Sequence, residues 1–398
     1  MQERIVITGM GIVSAIGTSV EENLEALLKR ESGLGRLSLF DSIYKDQIQV
    51  GEVKLTDKEL EESLQMDLND NYTRTTLLGI YAAKQAVENA SIEDINDCRT
   101  GLISSTSVGG MDYIERYYTE FATNPQVVKY ITSQEAGAST DKIANYLGLK
   151  GYVSTISTAC SSAANAIMMG CRMIKSGKLD RVIVGGTDAL SKFTINGFNT
   201  LMILSDSLNS PFDQDRKGLN LGEAAAYIVI EKESIARNAN RAILGVVSGY
   251  GNANDAFHQT ASSENGEGAY LAMEKALTMA GLESNQIDYI NAHGTATPNN
   301  DLSEGRAIER IFVDKVPYFS STKPYTGHTL AAAGAIEAVY SLLAIGHQKV
   351  FANLNFKTPM EELNIQPQTE TLDLPLQHVM SNSFGFGGNC STVIFSKA

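Results

Sequence analysis

The chain has 398 residues, 32 of them basic and 46 acidic, for a formal net charge of −14. That balance argues against a general affinity for nucleic acid or anionic membranes, and no run approaches about 18 uncharged apolar residues, so no membrane-spanning helix is expected. A chain of this length makes two average domains or one large α/β unit, and thirty-four glycines against eight prolines suit many tight strand–helix turns. Four cysteines (Cys98, Cys160, Cys171, Cys390) lack CxxC spacing and do not form a disulfide frame. The opening MQERIVITGMG shows no signal-peptide pattern, so a reducing cytoplasm is the expected compartment.

In chain order, Arg4–Thr8 (RIVIT) reads as a strand and Gly9-Met10-Gly11 as its turn. Ser19 with Glu22 predicts a capping box for a helix through Leu28. Residues 31–72 are irregular and polar, an excursion over the surface. Thr73–Asn89 is a long helix with Leu77, Ile80, Tyr81, Ala83 and Ala86 on its buried side. Strand 101–106 ends in Val108-Gly109-Gly110, and a helix follows. Residues 151–157 (GYVSTIS) alternate β-branched and small residues as a short strand does. Ser161–Lys175 then recurs at helical spacing, with Ala164, Ile167, Met168, Cys171 and Ile174 on one stripe.

Cys160 therefore falls where a strand ends and a helix begins. The unpaired N–H groups and dipole there favour negative charge, so the thiol should lose its proton more readily than usual. A small buried thiol is the alternative for any single cysteine. Residues 180–185 (DRVIVG) form a further core strand, and 218–231 (GLNLGEAAAYIVIE) a loop entering one.

The second part begins near Arg241, dividing the chain into 1–240 and 241–398. Residues 242–251 (AILGVVSGYG) repeat the strand-then-glycine-turn pattern of RIVITGMG. A helix in 262–281 ends at Gly281 as a C′ glycine. Strand 289–292 delivers His293, strand 316–321 leads to Lys323 and His328, and 327–345 is a small-residue helix. Strands 379–384 and 392–395 close the chain around a glycine loop. The parts echo each other: strand–Cys160 loop–helix against strand–Lys323/His328 loop–helix, and GLNLGEAAAYIVIE against SFGFGGNCSTVIFS. Two similar βαβ-type halves follow, with active groups gathered where equivalent helix starts meet.

Two of only five histidines stand in glycine-bearing strand–loop positions, HGTATP from His293 and STKPYTGH ending at His328. With a candidate thiolate, that outweighs their reading as structural histidines. The NSFGFGG loop (382–388) can bring backbone N–H groups to a ligand. A cysteine hydrolase would need one base oriented by a carboxylate or amide, and here two histidines and a lysine compete for that role.

Taken together, ACSS around Cys160, PFDQDRKG (211–218), HGTATPNND (293–301), STKPYTGH (321–328) and NSFGFGG (382–388) resemble the β-ketoacyl–acyl-carrier-protein synthases, condensing enzymes of the thiolase superfamily. The resemblance covers essentially the whole chain, with the motifs in the family's order. It implies an α/β thiolase-like fold with α-β-α-β-α layers. It also implies transfer of an acyl group to Cys160, then decarboxylative Claisen condensation with a malonyl group on acyl carrier protein.

By the family pattern, His293 and His328 donate to the enolate, and the N–H groups of Cys160 and Phe386 form the oxyanion hole. Lys323 tunes the His328 site and Glu337 does likewise, the alternative for Glu337 being a helix salt bridge. Thr295 and Thr297 contact the phosphopantetheine arm or cap a turn. Phe384 and Phe386 gate the acyl tunnel and Val108 lines its entrance, with plain packing the alternative for each. No metal and no cofactor are expected, the arm being carried by the carrier protein. The partners implied are the carrier and a second copy paired through strand 151–157, or else a cysteine-less homologue.

Some positions depart from the family's usual pattern. Asn165 stands where many members carry histidine, Asn389-Cys390 where Thr-Asn is usual, GLNLGEAA for GFVxGEGA and STKPYTGH for STKSxTGH. No reacting group is lost, and a divergent subgroup serving a specialised polyene or polyketide-like pathway is implied. An acidic chain must dock an acidic carrier through a local basic patch. The stretch 63–72, basic in relatives, here holds Asp67 and Asp70 and no base. Arg74, Arg116, Lys129, Arg216 and Lys217 remain, with Arg216 and Lys217 favoured; holding its own loop through Asp213 or Asp215 is the alternative for Arg216.

Overall fold

The computed structural model describes residues 3–66 and 71–398, so Asp67 and Asp70 lie outside the described residues. Five strands of the main sheet come from the first half of the chain: β1 (Ile5–Val13), β2 (Thr100–Ser105), β3 (Tyr152–Ile156), β4 (Arg181–Asp188) and β5 (Ala224–Lys232). Five come from the second: β6 (Gly245–Asn254), β7 (Tyr289–Asn291), β8 (Tyr318–Ser320), β9 (His378–Phe384) and β10 (Asn389–Ser396). They lie in the order β3-β2-β4-β5-β1-β6-β10-β9-β7-β8.

Counted within its own half, each set has its third strand at the outer edge, then the second, fourth, fifth and first. The directions match as well. The first and fifth strands, and the fifth and fourth, pair antiparallel; the second pairs parallel with the third and fourth. The halves join at β1 and β6 through two register pairs, Val6↔Val246 and Ile7↔Gly245. The echo read from the sequence is thus an identity of strand order: the Cys160 and Lys323/His328 loops both follow a third strand.

Helices complete the layers. α1 (Arg74–Asn89) lies on β1, β5 and β4; α2 (Ser162–Lys175) lies on β4 and β2; α3 (Glu267–Ala280) lies on β6 and β10, with α4 (Pro298–Ile311) against it. α5 (Ala333–His347) packs against α2 and touches strands of both halves, β9 and β5. The central apolar cluster joins α2 and α5 to the inner faces of the sheet. Separate clusters lie under α1 and under α3 with α4. All five stripe residues of α2 are buried. The stretch Leu330–His347 reaches a mean hydropathy of 1.4 over 18 residues, but 89% of it is buried inside the protein.

Several local expectations are corrected. Gly9 and Gly11 make no turn, since β1 continues through them with one register shift between Ile7 and Gly9. A Cβ at Gly9 would stand 2.2 Å from Ala86 O, and one at Gly11 2.2 Å from Ala82 O, so the glycines let α1 lie on the strand's backbone. Gly249 and Gly251 in β6 do the same for α3, against Ala276 O at 2.4 Å and Ala272 O at 2.1 Å. The helix Val20–Lys29 is capped by Ser19 as predicted, but Glu22 reaches back to Thr18 rather than Ser19, so the box is not reciprocal. The excursion holds a small hairpin (Leu34–Arg36 with Gln49–Gly51) and the helix Asp57–Ser63. α5 begins at Ala333, six residues later than predicted, because His328 forms a bridge to Leu221 instead.

Candidate active site

β3 ends at Ile156 and α2 starts at Ser162, leaving Cys160 in a tight turn. Ala159 before it takes the left-handed φ of +52°, a strained value for a residue with a Cβ. Hydrogen bonds hold the turn: Thr158 N donates to Ser162 Oγ at 2.8 Å, and Ser162 Oγ to Ala159 O at 2.5 Å. Gly385 of the opposite loop lies against it, where a Cβ would stand 2.9 Å from Thr158 O and 3.2 Å from Cys160 N.

His293 follows β7. Its backbone N–H donates to Glu304 Oε1 at 2.9 Å and that of Gly294 to Glu304 Oε2 at 2.8 Å, so a buried carboxylate of α4 fixes this loop. His328 is held by its own backbone between Asn220 O (2.7 Å) and Gly222 N (3.0 Å), residues of the GLNLGE stretch. The structure thus brings three distant motifs together: one side-chain ligand atom from each of Cys160, His293 and His328 lies within 4.8 Å of the others. All three are buried.

The tautomers follow from the partners. His328 Nδ1 accepts the Leu330 N–H at 3.0 Å, so in the neutral ring the proton sits on Nε2. His293 Nδ1 lies 3.3 Å from Lys323 Nζ, which leaves Nδ1 the acceptor and Nε2 the donor there too. Burial, reinforced by the Lys323 charge, holds both imidazoles well below their usual range, so both are neutral at neutral pH. Lys323 Nζ also donates to His293 O and Glu337 Oε1, each at 2.5 Å. Burial raises the Glu337 carboxyl, while Lys323 and Ser383 Oγ (3.4 Å) hold part of that rise back. The Cys–His–His set has metal-binding chemistry, but the Lys323 ammonium against His293 opposes a second cation there.

The thiol corrects an expectation. Burial pushes Cys160 up to about 11, whereas its place before a helix was expected to lower it. Lys323 and the N–H groups of Phe386 and Cys160 pull the other way without overcoming the lost solvation.

Two cavities meet at this point. One of about 350 Å³ is lined by Cys160, His293, His328, Thr295, Thr297 and Phe384, among others. The other, about 440 Å³, is lined mainly by apolar residues, with Val108, Phe193, Leu201 and Leu330 on its walls. Cys160, Phe198 and Phe386 line both, and the two phenyl rings stack at 5.9 Å. Thr297 also caps α4, accepting from Asn300 N at 3.4 Å, and Thr295 and Thr297 hydroxyls lie 2.9 Å apart. Phe384 rests against His293 at 5.7 Å between ring centroids.

The basic candidates separate. Arg74 is buried, bound to Glu223 and Asp57, and so is not a surface cation. Arg216 donates to Thr297 O (3.4 Å), Asp213 O (2.9 Å) and Pro298 O (2.7 Å), holding its loop through backbone carbonyls rather than through the Asp213 or Asp215 carboxylate. Lys217 is exposed, 3.6 Å from Asp206. Arg116 lies over the Tyr113 ring at 4.5 Å, and Lys129 over Tyr130 at 5.2 Å. Sequence reasoning passed over Glu304 and Phe198. The Asp301-x-x-Glu304 spacing on one helix face was a usable signal for Glu304; nothing marked Phe198.

The chain matches the family model "Beta-ketoacyl synthase, N-terminal domain" over residues 2–236 and "Beta-ketoacyl synthase, C-terminal domain" over 244–357. It is 35% identical to the 3-oxoacyl-[acyl-carrier-protein] synthase 2 of Staphylococcus aureus (strain N315), covering 99% of this chain and 98% of that one. It is also 35% identical to the protein of the same name from Coxiella burnetii, covering 100% and 99%. Among solved structures, the ishigamide ketosynthase/chain length factor superposes with a TM-score of 0.93 at 29% identity, covering both chains fully. The ketosynthase ApeO in complex with its chain length factor ApeC, from Xenorhabdus doucetiae, does so at 0.85 and 32%, covering 100% and 98%. With its duplicated α/β topology and a cysteine facing two histidines, the chain belongs to the β-ketoacyl synthase family, acyl-transferring condensing enzymes of the thiolase superfamily.

Proposed function

We propose that this enzyme is a 3-oxoacyl-[acyl-carrier-protein] synthase that elongates acyl chains on a carrier protein. The observation that carries the reading is the pair of neutral imidazoles, each with Nε2–H as donor, grouped with the Cys160 thiol. In the first step the Cys160 sulfur attacks the carbonyl carbon of an acyl thioester. A C–S bond forms, the tetrahedral oxyanion accepts from the Cys160 and Phe386 N–H groups, and the carrier's thiol leaves with the proton that Cys160 gave up. In the second, a malonyl thioester loses CO2, and the enolate oxygen accepts from His293 and His328 Nε2–H. The enolate carbon then attacks the acyl-Cys160 carbonyl, the new C–C bond forms as the C–S bond breaks, and the departing Cys160 thiolate takes a proton from solvent to restore the thiol.

Lys323 and Glu337 tune and hold the two imidazoles. The cavity at Thr295 and Thr297 takes the phosphopantetheine arm, and that at Val108 the acyl chain, with Phe384 and Phe386 at the gate. Lys217 is the better candidate for meeting the acidic carrier, since the donors of Arg216 already serve carbonyls of the arm cavity's wall. The enzyme acts in the cytoplasm and needs no bound cofactor. Its β3 lies at the sheet's open edge, a position that favours pairing with a second copy about a two-fold axis. Light scattering should give a dimer, and a stable monomer at micromolar concentration would refute that. Relatives named as ketosynthase with chain length factor support a second reading, a heterodimer with a cysteine-less homologue. The decisive experiment supplies a radiolabelled acyl carrier and then malonyl carrier. Label should pass to Cys160 and then to a 3-oxoacyl product; label on another residue would overturn the assignment.

A further inference from the structure

The oxyanion hole requires the Cys160 and Phe386 N–H groups to face one point, yet they lie on separate segments. One is the turn before α2, the other the glycine loop before β10. One side-chain oxygen gathers donors from both sides of this junction. Asn389 Oδ1 lies 2.7 Å from Ser161 Oγ, 2.8 Å from Asn165 Nδ2, 3.0 Å from Asn252 Nδ2 and 3.4 Å from Ser391 Oγ. The Asn389 carbonyl also accepts the Gly385 N–H at 2.9 Å, closing the glycine loop on itself.

Asn165 completes the arrangement. Its Nδ2 donates to Thr158 Oγ1 at 2.9 Å, and its Oδ1 accepts from Asn252 Nδ2 at 3.0 Å and Ser391 Oγ at 3.1 Å. These bonds orient the amides consistently, with Asn252 donating, Asn165 relaying and Asn389 accepting. Distant in sequence, Asn165 and Asn389 thus meet in one contact.

We infer that Asn389, oriented by Asn165, is a positioning residue: its amide oxygen clasps the nucleophile turn to the glycine loop and so sets the separation of the two oxyanion-hole N–H groups. The inference rests on the oxyanion-hole reading above. No hydrogen bond of the clasp reaches the enolate donors: Glu304 holds the His293 backbone, Asn220 the His328 backbone and the Leu330 N–H the His328 ring, and the glycine loop meets His293 through the Phe384 ring. Loss of the clasp should therefore slow acyl transfer and spare decarboxylation.

Two variants test this. Asn389→Ala removes the clasp. Asn165→Asp keeps the shape but sets two acceptor oxygens against each other across the 2.8 Å contact, and serves if the first variant fails to fold. Each should lower the kcat of acyl transfer to Cys160 by roughly ten- to a hundredfold with little change in KM. CO2 release from malonyl carrier should stay within about twofold of the parent. The double variant should be little worse than Asn389→Ala alone, as for partners in one contact. Equal losses in both half-reactions, additive losses, or unchanged acyl transfer would overturn the inference. Alkylation of Cys160 by iodoacetamide needs no acyl substrate and separates this question from that of function. A displaced Phe386 N–H stabilises the thiolate less, so alkylation of both variants at pH 8 should be several-fold slower; an unchanged rate counts against the clasp even if the parent transfers no acyl group.

Discussion

A thiol raised to about 11 beside two neutral imidazoles predicts a pH profile unlike that of a cysteine–histidine ion pair. At pH 7 such a thiol is ionised to about one part in 10⁴, against roughly 3% for a free cysteine of pKa 8.5, a deficit of about 300-fold. Thiolates of higher pKa are better nucleophiles, with a Brønsted coefficient of about 0.4–0.5, which returns about tenfold over the 2.5-unit difference. Alkylation by iodoacetamide at pH 7 should therefore run about 30-fold slower than that of free cysteine, before any effect of access. The slope is the firmer test, because access cancels from it. The rate, followed by mass spectrometry of the Cys160 peptide in short pulses, should rise about tenfold per pH unit from 6 through 9 with no plateau. Lys323→Met removes the strongest influence that lowers the thiol, so it should slow alkylation across that range. A plateau reached by pH 7.5 would refute the reasoning. It would mean a thiolate already present beside an imidazolium, which burial and the Lys323 charge are argued to forbid.

His293→Ala or His328→Ala each removes one preorganised donor, costing about 3–4 kcal/mol in the decarboxylation barrier, so CO2 release should fall by roughly 10²–10³ while Cys160 still accepts an acyl group. Normal release by both variants would dismiss the enolate role. Glu337→Gln strands the Lys323 charge in a site only about 2% exposed, and thermal unfolding should show a loss of about 3–5 kcal/mol. Lys217→Glu should raise KM for carrier-bound substrate more than for the same acyl group on pantetheine, whereas Arg216→Glu should impair both, because Arg216 holds the Thr297 and Pro298 carbonyls in the wall of the cavity shared by Cys160 and the histidines. Gly9→Val sets side-chain carbon against the Ala86 carbonyl and should abolish soluble expression, with near-normal unfolding as the contrary result.

The sequence revealed most where the chemistry is local. Glycine loops, a strand-to-helix cysteine and two histidines at strand ends are each short patterns, and the duplication showed because equivalent segments kept similar hydrophobic texture. The Gly9 and Gly251 regions misled because glycine has two uses. It frees φ in a turn, but in β1 and β6 it clears space for a helix, and only the position of α1 or α3 tells these apart. Cys160 misled for a related reason: a helix start favours a thiolate, but its burial depends on His293, His328 and Phe386 arriving from far along the chain. The same long-range assembly hid Phe198, one apolar residue among many until its ring stacks on Phe386.

Cys160, Phe198 and Phe386 stand between the two cavities, and this has a kinetic consequence. Of these two cavities only the first is lined by His293 and His328, so under the proposed function the primer's arm and the extender's arm should occupy it in turn. Under the same proposal the acyl group, once carried on the sulfur and threaded past the two phenyl rings, would leave that chamber empty for the next arm. Turnover should then be ping-pong, with parallel reciprocal plots. Because the unacylated enzyme offers the same chamber to either donor, excess malonyl carrier should inhibit competitively against acyl carrier. Chain elongation by this enzyme would accordingly be fastest at a balanced supply of the two thioesters rather than at an abundance of either.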